Sequence, residues 1–130
     1  MGTGKPKAGG TEKAGRRAAY RRGRRAESRA LLLLRLKGYR LLARDFKRPV
    51  GEIDLILRRG RCIVLVEVKQ RASLDQAAWA ITGRQRQRIQ RAALTFLQEN
   101  PRFHRFDLRF DAVLLQPGHW PRHIVDAWRP

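Results

Sequence analysis

Apolar residues recur along this chain in two rhythms, one of three to four residues and one of two. Ala26, Ala30, Leu33 and Leu34 follow the i, i+4, i+7, i+8 stripe of a helix that buries one face, and Gly38 stands where such a helix stops. Ile89, Ala92, Ala93, Phe96 and Leu97 form a second stripe; Thr82 and Gln85 ahead of it have capping-box spacing, and Pro101 ends it. Short apolar runs bounded by Gly and Pro fill the rest: Tyr39 to Phe46, Glu52 to Leu57, Cys62 to Lys69, Phe106 to Leu115 and His123 to Trp128. The order α-β-β-β-α-β-β predicts an α/β fold, a mixed β-sheet flanked by helices.

Two of the predicted strands carry acids in their interiors, and burying an ionised group costs several kcal/mol unless something pairs with it. Arg58-Arg59-Gly60-Arg61 reads as a tight hairpin connection between them. A turn centred between Gly60 and Arg61 sets Leu57 opposite Val64, Asp54 opposite Glu67 and Glu52 opposite Lys69. Opposed residues share a face, as do residues two apart on one strand. Asp54, Glu67 and Lys69 are thus expected to converge on one side, while Cys62, Val64, Val66 and Val68 fill the other. Two facing carboxylates repel, so one holds a proton or a cation lies between them; Mg²⁺ or Mn²⁺ is the natural partner for such oxygens. A lysine beside that pair adds a charge able to bind a phosphate oxygen or orient a water. A structural ion-pair cluster with Glu52 is the alternative reading of the same residues.

Charge points to the partner. Thirty Lys and Arg stand against eleven Asp and Glu, a net of +19, which favours polyanions, nucleic acid first and an anionic membrane surface second. The apolar run Leu31–Leu34 is too short to span a bilayer, and Pro6 breaks the myristoylation pattern after Met1-Gly2, so no membrane association is expected. The single cysteine, Cys62, excludes an internal disulfide and fits a reducing, cytoplasmic setting. Residues 1–29 hold ten basic residues and two Glu. Gly-rich and without periodicity, residues 1–25 read as a flexible basic arm ahead of a domain spanning 26–130, serving either as a nucleic-acid contact or as a solvated tail.

Asp54 followed on the next strand by Glu67-Val68-Lys69 resembles the PD-(D/E)xK nuclease superfamily, whose restriction-endonuclease-like core is a mixed sheet with flanking helices. More closely, the chain resembles the YraN family of predicted endonucleases akin to Holliday-junction resolvases. The matching pieces are Glu27 with Ala30 ahead of Gly38-Tyr39, GEIDLI at 51–56, VEVKQR at 66–71, the Arg-rich helix ending in Ala92-Ala93, and RFDAV at 109–113. The resemblance implies Asp54 and Glu67 as metal ligands with the Val68 carbonyl, Lys69 as the catalytic lysine, and Glu27 reaching the site from the first helix. It implies Mg²⁺ or Mn²⁺ as cofactor and nucleic acid as substrate, DNA before RNA and branched or single-stranded before plain duplex. It leaves a homodimer open, and a non-catalytic nucleic-acid-binding protein of the same fold is the alternative. Arg71, Arg84, Gln85 and Arg88 are the candidate phosphate contacts. The chain departs from the family pattern at Gln85, where Lys is usual, at Asp45, where Asn is usual, and near Asp75, where a Gly is missing.

Other residues read as scaffold. Glu27 at a helix start is also favoured by the helix dipole alone. Asp111 is expected to pair with a nearby Arg, and Cys62 to pack in the core. His119 and His123, with Pro121 between them, lack the companions a zinc site needs. Trp79, Trp120 and Trp128 are expected to be core residues rather than base-stacking ones.

Overall fold

The computed structural model describes residues 23–72 and 80–130. The arm up to residue 22, Asp75 and Trp79 lie outside the described residues. A helix, α1 (residues 23–36), precedes three strands, β1 (Arg40–Arg48), β2 (Gly51–Arg59) and β3 (Cys62–Gln70). Helix α2 (Gly83–Glu99) and a short 3₁₀ turn (Pro101–Phe103) lead to β4 (Asp107–Leu115) and β5 (Arg122–Trp128). The five strands lie in the order β1-β2-β3-β4-β5. All neighbours are antiparallel except β3 and β4, which run parallel because α2 carries the chain back across one face. This is the mixed α/β fold that the patterning predicts. Among the described residues no helix is long and apolar enough to cross a membrane.

Each helix covers one face of the sheet. Ala26, Ala30, Leu31 and Leu34 of α1 pack with Leu55, Leu57, Val64, Val66, Val113 and Leu115, and Val68 and Cys62 join them at the margin. Leu31 takes the buried place expected of Leu33, which is only half-buried. Ile89, Ala92, Ala93 and Phe96 of α2 pack with Ile53, Ile56, Ile63, Leu65, Phe110 and Ala112 on the opposite face. The ends of both helices follow from sequence. Gly38 (φ +92°) lets the Tyr39 and Gly38 amides turn back to the Leu34 and Arg35 carbonyls. At α2, the Thr82 hydroxyl accepts from the Gln85 amide at 3.1 Å while the Gln85 side chain accepts from the Thr82 amide at 3.0 Å.

The β2–β3 register is the expected one, with Arg59 opposite Cys62, Leu57 opposite Val64 and Leu55 opposite Val66. Strict alternation fails earlier in β2, because Ile53 and Ile56 both reach the α2 side. Gly51 begins this strand hard against α2: a Cβ there would come within 1.9 Å of the Arg88 carbonyl oxygen. Gly51→Ala must therefore push the first turns of α2 off the sheet. The expected cost is about 1–3 kcal/mol, the usual range for overpacking, read as a lowered denaturant midpoint.

Asp111, with no exposed surface, anchors the other half of the sheet. Its carboxylate accepts from Arg109 Nε and Nη2, each at 2.8 Å, from the Asp126 amide at 2.9 Å and from His123 Nε2 at 2.7 Å. Lys37 Nζ lies 2.8 Å from His123 Nδ1. An ammonium only donates, so Nδ1 accepts and Nε2 carries the hydrogen toward Asp111. Arg109 also donates to the Tyr39 hydroxyl at 2.7 Å. Burial opposes the charge on Asp111, but the hydrogen bonds from His123, Arg109 and Asp126 outweigh it and hold the carboxyl down at about 2. An unfolded aspartate titrates near ~3.9. The stabilisation is therefore present in full above that value and lost as pH falls through about 2. Asp111→Asn should cost about 3–5 kcal/mol at neutral pH, the scale of stripping one partner from a buried pair. It should also remove this part of the acid transition, which urea melts between pH 2 and 5 will report.

Candidate active site

The β2–β3 ladder ends at Leu55–Val66, so the expected pairs Asp54–Glu67 and Glu52–Lys69 fall beyond it. The two strands part there, and the Val68 amide donates to Asp54 Oδ2 at 2.7 Å. A carboxylate thus takes an amide that a backbone carbonyl would otherwise satisfy. The Glu67 and Asp54 carboxyls still lie close enough for each to act on the other. Lys69, 3% exposed, is close enough for its charge to act on Glu67, and its Nζ donates to the Ala80 carbonyl at 2.7 Å. The structure therefore brings Asp54, Glu67 and Lys69 together at the mouth of the parted strands, and the exposed Glu52 lines a cleft there with Asp54 and acts by its charge on both carboxyls.

The electrostatics are those of acids crowded out of water. Burial first, and then the charge of Glu67, push the Asp54 carboxyl up to about 7. Burial raises Glu67 as well, against the pull of the Lys69 ammonium and the Asp54 hydrogen bond. Lys69 is lowered by burial and then by the neighbouring charge of Arg71. Two clefts, of about 170 and 340 Å³, share Gly23, Glu27 and Asp54 in their walls. Arg71 and Gln70 line the second of them. An apolar groove of about 460 Å³ between α1 and the β4–β5 turn has no acid in its lining and lies apart from this chemistry.

Glu27 reaches the site from α1. Burial and the hydrogen bond and charge of Asp45 raise its carboxyl to about 8. Glu27 Oε1 is buried without a hydrogen-bond partner, 3.8 Å from the equally unpartnered Arg44 Nε. Asp45 is the site acid that the strand pattern did not single out. It occupies the left-handed region (φ 51°) inside β1, a conformation that Asp and Asn tolerate better than other side chains. Burial alone would raise it, but hydrogen bonds from Glu27 and Arg24 hold it below the usual carboxylate range. Arg44 secures α1 to β1 by donating to the Arg24 carbonyl and the Ser28 hydroxyl.

The expected phosphate contacts divide. Arg71 lies at the site. Arg84 and Arg88 are exposed on the first turns of α2, and the Arg88 backbone rests on Gly51, three residues before Asp54. The Gln85 carbonyl oxygen is committed to the helix cap. Val68 is held at the site through its amide. Elsewhere, Asp111 pairs with Arg109 as expected, and Cys62 packs beside the α1 core with its thiol raised by burial. Trp128 is buried at 5% exposure, but Trp120 is 91% exposed on the β4–β5 turn, so the expectation of a core residue fails for it. Pro117, Gly118 and Pro121 around Trp120 make a turn, and a turn projects its side chains rather than burying them.

Among the described residues no group of three or more His, Cys, Asp or Glu is placed to close around a metal on its own. The donors present suit a hard divalent cation. Asp54 and Glu67 offer neighbouring carboxylate oxygens, and the Glu27 Oε1 is buried and unsatisfied in the same cleft as Asp54. A proton shared by two carboxyls relieves the same repulsion that Mg²⁺ or Mn²⁺ relieves more fully.

Comparison with known proteins places the chain among relatives of the same extent. A model of the "Uncharacterised protein family UPF0102" matches residues 26–115. A UPF0102 protein of Parvibaculum lavamentivorans is 58% identical over 113 residues, covering 87% of this chain and 85% of that protein. One from Bradyrhizobium sp. strain ORS 278 is 50% identical over 125 residues, covering 96% of this chain and 89% of the relative. One from Paramagnetospirillum magneticum is 53% identical over 116 residues, covering 86% and 90%. The matched span contains Glu27, Asp45, Asp54, Glu67 and Lys69 together. The chain belongs to the UPF0102 family, which is the YraN family.

Proposed function

We propose that this protein is a divalent-metal-dependent endonuclease that hydrolyses phosphodiester bonds in nucleic acid, DNA before RNA and branched or single-stranded substrates before plain duplex. The observation that carries the reading is the meeting of the Asp54 and Glu67 carboxyls with the buried Lys69 at the mouth of the parted strands, on a chain of net charge +19. Asp54 and Glu67, with the Val68 carbonyl, would hold Mg²⁺ or Mn²⁺. When bound, such an ion supplies Lewis-acid chemistry at a phosphodiester. The chain's own groups do the rest. Lys69 presents positive charge where charge develops on the phosphoryl group, in a site dry enough for that charge to count. Glu27, backed by Asp45, adds an oxygen from α1, and Arg71, Arg84 and Arg88, with Gln85, hold flanking phosphates.

A non-catalytic nucleic-acid-binding protein of the same fold is the second reading. It is favoured by one contact, the Lys69 ammonium donating to the Ala80 carbonyl instead of standing open to a ligand.

Both readings meet a test at the acids. Asp54 titrates at about 7 in the folded chain and near ~3.9 when unfolded, so its protonated form favours folding. That stability is present in full below the unfolded value and lost as pH rises through about 7. The metal-free protein should therefore melt lower at pH 8 than at pH 5. Mn²⁺ should restore it, by about 2.7 kcal/mol at a hundredfold excess over the dissociation constant. Asp54→Asn should weaken the pH dependence, leaving the part that Glu27 contributes, and abolish the Mn²⁺ shift. Calorimetry that finds no divalent-ion binding, with or without nucleic acid, sinks the metal assignment.

Enzyme and binder separate at Lys69. In the nuclease, Lys69→Ala should lower cleavage by about two orders of magnitude, the scale of losing one electrostatic stabiliser, while affinity changes little. The measurement is cleavage and binding on one panel of labelled DNA and RNA structures, with Mn²⁺ and with chelator, for wild type, Asp54→Asn and Lys69→Ala. Cleavage equal in all three belongs to a contaminant. No cleavage by the wild type selects the binder.

A further inference from the structure

At the end of the sheet away from Asp54, six arginines gather around a single acid, Asp107, whose amide donates to the Arg61 carbonyl at 2.9 Å. The β2–β3 hairpin carries Arg58, Arg59 and Arg61; β1 sets Arg40 directly opposite Arg58; the chain entering β4 adds Arg102 and Arg105. Among the described residues none of the six forms an ion pair. Like charges directly opposite in a sheet are unfavourable, so Arg40 beside Arg58 costs stability that packing must offset.

Aromatic rings hold several of these side chains in place. The Arg58 guanidinium lies 4.8 Å from the Phe106 ring centroid, Arg61 5.3 Å from the same ring, Arg102 4.6 Å from Phe103, and Arg59 5.2 Å from Tyr39. Stacking uses the face of a guanidinium and leaves the in-plane N–H edge to donate, the geometry in which arginine recognises phosphate. Among the described residues, only the Arg58 edge is taken up, with Nε donating to the Gly60 carbonyl at 3.0 Å. Cys62 stands five residues before Glu67 on β3 and Arg58 four residues after Asp54 on β2, so this surface is roughly 13–17 Å from the acids at ~3.3 Å per residue.

We infer that the arginine surface around Phe103 and Phe106 binds the phosphate backbone of nucleic acid, at a second place remote from the Asp54 site. The inference rests on the reading of nucleic acid as the ligand. A single duplex touching both places must extend over about four or five base pairs at ~3.4 Å each, or a second arm of a branched molecule must reach the far surface. The arginines meet phosphates there and carry no sequence preference of their own.

The test is the salt dependence of binding to a labelled twenty-base-pair duplex, by fluorescence anisotropy, alongside cleavage with Mn²⁺. One variant combines Arg58→Ala, Arg61→Ala, Arg102→Ala and Arg105→Ala. A control of equal charge combines Arg29→Ala, Arg35→Ala, Arg91→Ala and Arg129→Ala. The first should flatten the log–log salt slope by about 0.9 for each phosphate no longer neutralised, and weaken binding at least tenfold more than the control. Lysine at the same four positions should restore the slope, which a purely packing role for the guanidinium groups would not allow. A wild type that cleaves, with the two alanine variants equal in binding, overturns the inference and leaves the nuclease reading intact; one that binds without cleaving, with the variants equal, overturns both. Graded loss of binding in proteins that never cleave upholds it and removes the nuclease reading. A wild type that binds no nucleic acid overturns both. Loss of binding to phosphatidylserine vesicles with an unchanged DNA slope would assign the surface to membranes and also overturn it.

Discussion

One hydrogen bond, from the Val68 amide to the Asp54 carboxylate, decides what kind of sheet this is. Had the β2–β3 ladder continued, both strands would have closed as an ordinary hairpin and the acids would have been excluded to the surface. The side-chain oxygen instead satisfies the amide where the strands separate, so the backbone loses a ladder bond without leaving a buried donor unpaired. The gap so opened is where Glu67 and Lys69 face inward and where α1 lowers Glu27 toward them. The site is thus built at a controlled failure of secondary structure.

The cost of that arrangement is borne by apolar packing on both faces. Val64, Val66, Leu55 and Leu57 have no exposed surface, nor do Ile56 and Ile63 on the other side. At about 25 cal/mol per Å² of buried apolar area, such a core contributes on a scale well beyond the few kcal/mol needed to keep two carboxyls and an ammonium out of water. Packing of this kind also fixes position. The Arg88 carbonyl against Gly51 leaves no room for α2 to slide, and Arg44 stitches α1 to β1, so the two helices are held in register with the acids between them.

Much of this was legible before any coordinates. The side-chain period of a strand is two, so a hairpin turn at Gly60-Arg61 determines every opposed pair, and Asp54, Glu67 and Lys69 could be grouped by counting. Capping chemistry at Thr82 and Gln85 and the glycine after α1 were equally local and equally readable. The unread parts depend on departures from periodicity. Ile53 joins Ile56 on the α2 side where the alternation of β2 breaks beyond the ladder, and Asp45 enters the site from a left-handed backbone; neither follows from a hydrophobic pattern. The same holds for Trp120, where burial was a statistical expectation about tryptophan and the turn geometry overrode it. The arginines around Phe103 and Phe106 looked in sequence like scattered charge, since their stacking partners are more than forty residues away from the hairpin.

The tie between Lys37 and His123 joins the end of the first helix to the last strand, 86 residues later. Chains emerge from the ribosome amino end first, so α1 is made early yet gains this anchor only when β5 has been synthesised and paired with β4. Folding is correspondingly non-local: the parallel β3–β4 pairing must wait for α2, and the last tie of the first helix must wait for β5. A nascent chain of this protein therefore carries its acids long before it can hold them in place.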